Sequence, residues 1–268
     1  MPAGPLLPLR AGALEVDIAA HAGGRIARIR MEGVEQLIGP QGDAHAMIAW
    51  GSYPMVPWAG RIRDGRFRFG GRQWQLPRNL GAHAIHGVGF GLPWGIDHHD
   101  AHSATLSLAL PQDERWPFGG VARQTLRLEP RALQLTLSVQ AGDRSMPAVI
   151  GWHPWFRKPD RLDFDPRLMY PRDAQGIATL PPGAASPGPW DDCFLHDGPI
   201  VLRSGRQALR LTSSCTHWVI YDATGHATCV EPQTGPPDGF NLAPCVLEPA
   251  QTLEAWFRME WLTVGGVP

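Results

Sequence analysis

The chain has 268 residues, 31 of them glycine and 27 proline, and a formal net charge of -1. That length is ample for a full hydrophobic core, and a charge so near zero removes the electrostatic case for nucleic acid or an anionic membrane surface. Cys193, Cys215, Cys229 and Cys245 show no C-x-x-C spacing, which argues against a zinc knuckle or a redox dithiol and for reduced thiols in a cytosolic protein.

Met1 to Leu14 carries Arg10 but no apolar run of signal-peptide length. No stretch approaches the roughly 20 apolar residues of a membrane span. The expectation is a soluble, cytoplasmic protein. Glycine and proline leave little room for long helices, and the apolar residues recur mostly with period two, as in half-buried strands. Leu14, Val16 and Ile18 alternate with polar or small neighbours. Phe67 and Phe69 alternate with Arg66 and Arg68, and Gly70-Gly71 then turns the chain into a return strand with Trp74 and Leu76. Glycine supplies the positive φ that such a turn needs. Leu126 and Leu128 run into Glu129-Pro130-Arg131, and Leu133, Leu135, Leu137 and Val139 return. A further pair spans Ile200 to Leu202 and Leu209 to Leu211. In the last strand Leu253, Ala255, Phe257, Met259 and Trp261 share one face.

This rhythm predicts an all-β fold, a large antiparallel β-sandwich with few short helices. No βαβ rhythm, fixed-period repeat or low-complexity linker divides the chain. Pro181 to Pro189 reads as a long surface loop, so residues 1–268 are expected to form a single domain.

Three islands bear ionisable groups among glycines, prolines and aromatics. His86 lies in Ala84-Ile85-His86-Gly87-Val88-Gly89-Phe90, with Trp94 after it. His153 lies in Gly151-Trp152-His153-Pro154-Trp155-Phe156. Glu231 opens the turn Glu231-Pro232-Gln233-Thr234-Gly235-Pro236-Pro237. Two imidazoles and a carboxylate suit acid–base chemistry near neutral pH. Aromatic rings such as Trp155 suit the apolar face of a pyranose, and glycines let backbone approach a ligand. Each residue also has a plain structural reading: His86 as a loop histidine, His153 as an imidazole packed in the core, Glu231 as an exposed turn carboxylate. Arg61, in Trp58-Ala59-Gly60-Arg61-Ile62-Arg63, offers a fork of donors for a hydroxyl or simply faces solvent. His98, His99 and His102 read as surface residues, and Glu248 as the start of a turn.

Taken in order, these segments resemble the aldose 1-epimerase (galactose mutarotase) family. Gly60-Arg61-Ile62-Arg63-Asp64-Gly65-Arg66-Phe67 is similar to its N-R-I-x-x-G-x-F segment. Ile85-His86-Gly87-x-x-Phe90-x-x-x-Trp94 is similar to L-H-G-G-x-x-G-F…W, and Gly151-Trp152-His153-Pro154-Trp155-Phe156 to its second-histidine motif. Trp190-Asp191-Asp192-Cys193-Phe194 resembles the segment with a substrate-binding Asp, and Val230-Glu231-Pro232-Gln233-Thr234 with Asn241 the segment with the catalytic Glu. Gly60 stands where the family has Asn, and Val88 where it has the second Gly of H-G-G.

The resemblance implies a β-sandwich with a cleft on one sheet and interconversion of the α and β anomers of a hexose. Glu231 would take the proton from the anomeric hydroxyl and His153 would protonate the ring oxygen. His86, Arg61 and Asp191 would hold oxygens, with Trp155 beside them. No metal or redox cofactor is required. The implied partner is a small sugar, with no nucleic acid and no membrane, on a monomer or homodimer. A hexose 6-phosphate 1-epimerase of the same fold would need further arginines converging on the phosphate. A non-catalytic carbohydrate-binding protein would have no need of the acid and base together, and a metal-dependent hydrolase is the remotest alternative.

Overall fold

A computed structural model describes residues 4–40 and 47–263; Met1–Ala3 of the amino-terminal segment read above lie outside them. Its two large sheets are antiparallel. The larger has eleven strands, in the order Leu7–Ala11, Leu14–Ala19, Arg25–Met31, Ser52–Met55, Gly151–Arg157, Ala227–Gln233, His217–Tyr221, Asp191–Leu195, Leu168–Met169 and Gly183–Ala184, with Val34–Glu35 beside Arg25–Met31. The smaller has eight: Gly95–His99, Ser103–Ala109, Val121–Glu129, Ala132–Gln140, Thr252–Leu262, Gln207–Ser213, Ile200–Ser204 and Arg161–Asp163.

The hairpins follow from the local chemistry read above. Gly70 and Gly71 both have positive φ, 58° and 71°, joining Arg66–Phe69 to Arg72–Gln75 in a two-residue loop, as a primed turn demands. Leu126 pairs with Leu135 and Leu128 with Leu133 across the Glu129–Ala132 turn. In the last strand Ala255, Phe257, Met259 and Trp261 are buried while Thr252, Glu254 and Trp256 are exposed. Short 3-10 turns at Ala20–Ala22, Arg63–Gly65 and Gly89–Gly91 and one helical turn at Gly239–Leu242 are the helices among the described residues. The Pro181–Pro189 segment departs from a plain loop, because Gly183 and Ala184 pair with Met169 and Leu168 and end the larger sheet.

The core lies between the sheets. Trp152 of the larger sheet and Phe257 of the smaller approach with ring centroids 5.8 Å apart, and Trp218 meets the same phenylalanine at 6.1 Å. A buried polar connection crosses this layer: the Trp152 indole donates to Gln124 at 2.9 Å, and the Gln124 amide donates to the Gly24 carbonyl at 2.8 Å. Every partner in it is satisfied, so its burial is not penalised. Alternation along Gly151–Arg157 points Trp152, Pro154 and Phe156 at this core, and it turns Gly151, His153 and Trp155 to the opposite face.

Candidate active site

That opposite face carries two neighbouring rows of side chains. Register pairs Tyr53 with His153 and Glu231 with Val219, and the flanking pairs Gly151–Gln233 and Trp155–Cys229 set His153 opposite Glu231. The next row runs Trp155, Cys229, Tyr221, Asp191. Period-two alternation on five adjacent strands thus brings distant parts of the sequence together.

A cavity of about 260 Å³ opens over these rows. Arg61, His86, His153, Trp155, Asp191 and Glu231 all line it, so the structure gathers the six residues singled out from the sequence. The His153 Nε2 and Glu231 Oε1 atoms are 3.2 Å apart, with side chains 8% and 3% exposed. The His153 ring stacks on Tyr53 at 4.9 Å and on Trp155 at 5.4 Å, and His86 meets it edge-on at 4.9 Å. The Ile48 carbonyl accepts hydrogen bonds from Tyr53 Oη at 3.1 Å and Trp155 Nε1 at 2.6 Å, fixing both rings.

The loop bearing His86 is strained to reach this position. His86 has φ 61°, in the left-handed region that costs a non-glycine residue about 1–2 kcal/mol. Gly87 follows at φ 77°, and a Cβ there would lie 2.0 Å from the Val56 carbonyl oxygen, so only glycine fits. The two departures from the family pattern have physical reasons. Gly60 has φ 69° and a Cβ would meet Pro237 at 2.9 Å, a left-handed position for which Asn is the other common choice. Val88 has φ -109°, which a β-branched residue adopts freely.

Burial dominates the electrostatics. It pushes Glu231 well above the usual carboxylate range, with Asp191 adding to the rise against the opposing pull of Arg61 and the Gln233 amide. It pushes His153 down to about 3, with Arg25 and Arg61 adding to the fall. His86 is also driven well down, by burial and then by His153 and Arg61. Burial thus drives both members of the 3.2 Å His153–Glu231 contact toward their neutral forms. His86 Nδ1, His153 Nδ1 and Gln233 Oε1 are buried with no hydrogen-bond partner among the described residues. Each such group costs on the order of 1–3 kcal/mol, and here all three belong to residues lining one cavity.

Asp191 lines the cavity, and Asp192 is absent from its wall. Arg172 clamps the two, with Nη1 2.9 Å from Asp191 and Nε 2.8 Å from Asp192, and Arg61 approaches Asp191 at 3.8 Å. Sequence reasoning missed Arg172 and Tyr53, which no local pattern marks. It also missed Gln233, whose amide donates to Glu231 at 3.3 Å and whose place two residues along the strand was a usable signal. Asn241, part of the motif match, donates to the Arg66 carbonyl and to Asp238, bracing the turn that carries Arg61 rather than reaching the cavity. His83 accepts from the Asp64 amide, Glu248 accepts from Ser145, and His98, His99 and His102 are exposed. The nearest approach to a metal-binding group among the described residues is His153, Cys229 and Glu231. No helix among them is long and apolar enough to cross a membrane.

The sequence pattern of the family described as aldose 1-epimerase matches residues 5–166, and the chain belongs to that family. The match spans Arg61, His86, His153 and Trp155, and ends before Asp191 and Glu231. Two Escherichia coli K12 proteins, both uncharacterized, are similar in sequence. YphB is 36% identical over 112 residues, 39% of this chain and 36% of that protein. YihR is 28% identical over 156 residues, 57% of this chain and 50% of that protein. The chain thus matches half or less of the length of these relatives. Among solved structures, a galactose mutarotase-like protein from Clostridium acetobutylicum superposes with a TM-score of 0.86 at 16% identity, covering 96% of this chain and 95% of that one. A galactose 1-epimerase from Lactobacillus acidophilus NCFM gives 0.79 at 18% identity, covering 94% and 92%. These likenesses establish the fold, a galactose mutarotase-like β-sandwich.

Proposed function

We propose that the protein is an aldose 1-epimerase acting on an unphosphorylated hexose. The observation that carries this reading is the buried 3.2 Å contact between His153 and Glu231 on the floor of a sugar-sized cavity. Ring opening needs a proton taken from the anomeric oxygen and another delivered to the ring oxygen. With the one shared proton on His153 Nε2, Glu231 is the acceptor of the pair and His153 the donor. Glu231 takes the hydroxyl proton, His153 delivers one to the ring oxygen, rotation about C1–C2 follows, and the reverse transfers close the ring on the other face. Each positioned transfer contributes on the order of 10²–10⁴-fold. His86, Arg61 and Asp191 hold the remaining oxygens, and Trp155 flanks the apolar face of the ring. The unpartnered atoms of His86, His153 and Gln233 favour a ligand rich in hydroxyls.

Charge favours a neutral sugar over a 6-phosphate. Arg61 is the only cation on the described cavity wall, and it faces Asp191. Three arginines beyond that wall have other partners: Arg63 with Asp173 at 2.6 Å, Arg66 with Gln75 at 2.8 Å, and Arg172 with both aspartates. Comparing anomer exchange for glucose and glucose 6-phosphate by magnetization-transfer NMR tests this. A kcat/KM higher for glucose is expected, and a strong preference for the phosphate would overturn the substrate assignment.

A further inference from the structure

Cys229 has no part in this mechanism, yet its place is informative. It lies two residues before Glu231 on one strand, so both side chains leave the same face of the sheet. Its register neighbours are Trp155 and Tyr221, whose rings meet edge-on at 5.9 Å. The thiol is fully buried. Cys229 Sγ, an imidazole nitrogen of His153 and a carboxylate oxygen of Glu231 all lie within 4.8 Å of one another.

Those distances suit one kind of guest. Tetrahedral zinc bonds of roughly 2.0–2.3 Å set nitrogen and oxygen ligands about 3.3 Å apart, and sulfur about 3.6 Å from either. The His153–Glu231 pair is already at 3.2 Å, and the sulfur needs an approach of roughly 1 Å to complete the set. One thiolate, one carboxylate and one neutral imidazole around a dication sum to zero charge, which a buried site tolerates far better than a net charge. Three protein ligands leave a fourth position open, and two of the three, His153 and Glu231, line the cavity. The sulfur selects soft or borderline metals over magnesium and calcium, which prefer oxygen.

We propose that His153, Cys229 and Glu231 form a binding site for a thiophilic divalent cation of the zinc class, and that the bound cation blocks the acid–base pair. On binding, the Cys229 thiol gives its proton to water as the sulfur–metal bond forms, and the proton shared by His153 and Glu231 also leaves to water. His153 binds through its Nε2 lone pair with its proton on Nδ1, and Glu231 binds as the carboxylate. Oxidation states do not change. With both reacting groups held by the metal, neither exchanges a proton with a sugar, so the cation and the sugar compete. The inhibition clause rests on the proposed epimerase reading, and the cation site itself does not.

Cadmium titration of the purified chain tests the site directly, because a thiolate–cadmium bond absorbs in the ultraviolet whether or not the protein turns over sugar. The comparison is wild type, Cys229→Ala, Cys229→Ser and Cys245→Ala, the last removing the one exposed thiol. The exposed cluster of His98, His99 and His102 has no sulfur and gives no such band. Wild type and Cys245→Ala are expected to bind one cadmium per chain with the charge-transfer band. Both Cys229 variants are expected to lose the band and weaken binding by about 10–100-fold or more. Zinc should inhibit anomer exchange in wild type, saturating sugar should raise the zinc required, and Cys229→Ser should need correspondingly more zinc; magnesium should do nothing. A band that disappears with Cys245 instead, no band in folded wild type, or equal zinc sensitivity in Cys229→Ser would overturn the proposal. A Cys229-dependent band in a protein that turns over no hexose would leave the cation site standing and remove the epimerase reading alone.

Discussion

The two sheets share a core but differ on their outer faces. In the smaller sheet Val121–Glu129, Ala132–Gln140 and Thr252–Leu262 alternate between buried and solvent-facing residues almost without exception. In the larger sheet Ser52–Met55 and Ala227–Gln233 are buried throughout, and Gly151–Arg157 is buried up to its last residue. One sheet faces water, as antiparallel sheets commonly do. The middle of the other is covered on its second face by the loops carrying Arg61, His86 and Pro237. Covering a sheet face with loops creates a dry floor where a histidine and a carboxylate lie side by side and are both driven toward their neutral forms. The smaller sheet supplies stiffness, and the larger supplies chemistry on the reverse of the same packed layer.

Substitutions on the two sheets should separate these roles. The largest effect belongs to Glu231→Gln, which on the proposed mechanism lowers anomer-exchange turnover by on the order of 10²–10⁴-fold while sugar binding persists, as titration calorimetry would register. His153→Ala should cost a comparable factor in kcat; a rise in KM with kcat intact would make His153 a binding residue and not the acid. Phe257→Ala, on the smaller sheet, removes the ring against Trp152 and Trp218. It should cost about 3–5 kcal/mol of stability in denaturant melts, with kcat per folded molecule unchanged. The smallest effect is expected from Trp256→Thr. Trp256 is 40% exposed on the outer face of that sheet, and stability should stay within about 0.5 kcal/mol. A large loss of kcat from Phe257→Ala would dissolve the distinction between the sheets.

Most of the fold was legible in the sequence because the smaller sheet and the hairpins obey local rules. Gly70-Gly71 turns the chain, and Leu133, Leu135 and Leu137 alternate with polar neighbours because one face meets water. The continuous burial of Gly151–Arg157 has no such periodicity, and aromatic islands marked that strand instead. All six site residues anticipated from motifs share the cavity, since each is displayed by a strand or a strained loop whose glycines are visible in the sequence. What stayed hidden came from long-range register. Tyr53 stacks on His153 only because Ser52–Met55 pairs with Gly151–Arg157. Arg172 finds Asp191 from a segment with no distinguishing pattern. The choice between Asp191 and Asp192 needed the strand's orientation, which two adjacent aspartates leave open.

The central claim is that the paired His153 and Glu231 interconvert the anomers of a free sugar. Polarimetry of freshly dissolved α-D-glucose and α-D-galactose with the purified protein, beside its Glu231→Gln variant, tests it most directly. The account predicts that wild type hastens relaxation to the equilibrium rotation for at least one sugar and that the variant leaves the spontaneous rate unchanged. Equal acceleration by both proteins would contradict the assignment of the base. No acceleration by wild type with either sugar would contradict the proposed activity on these free hexoses.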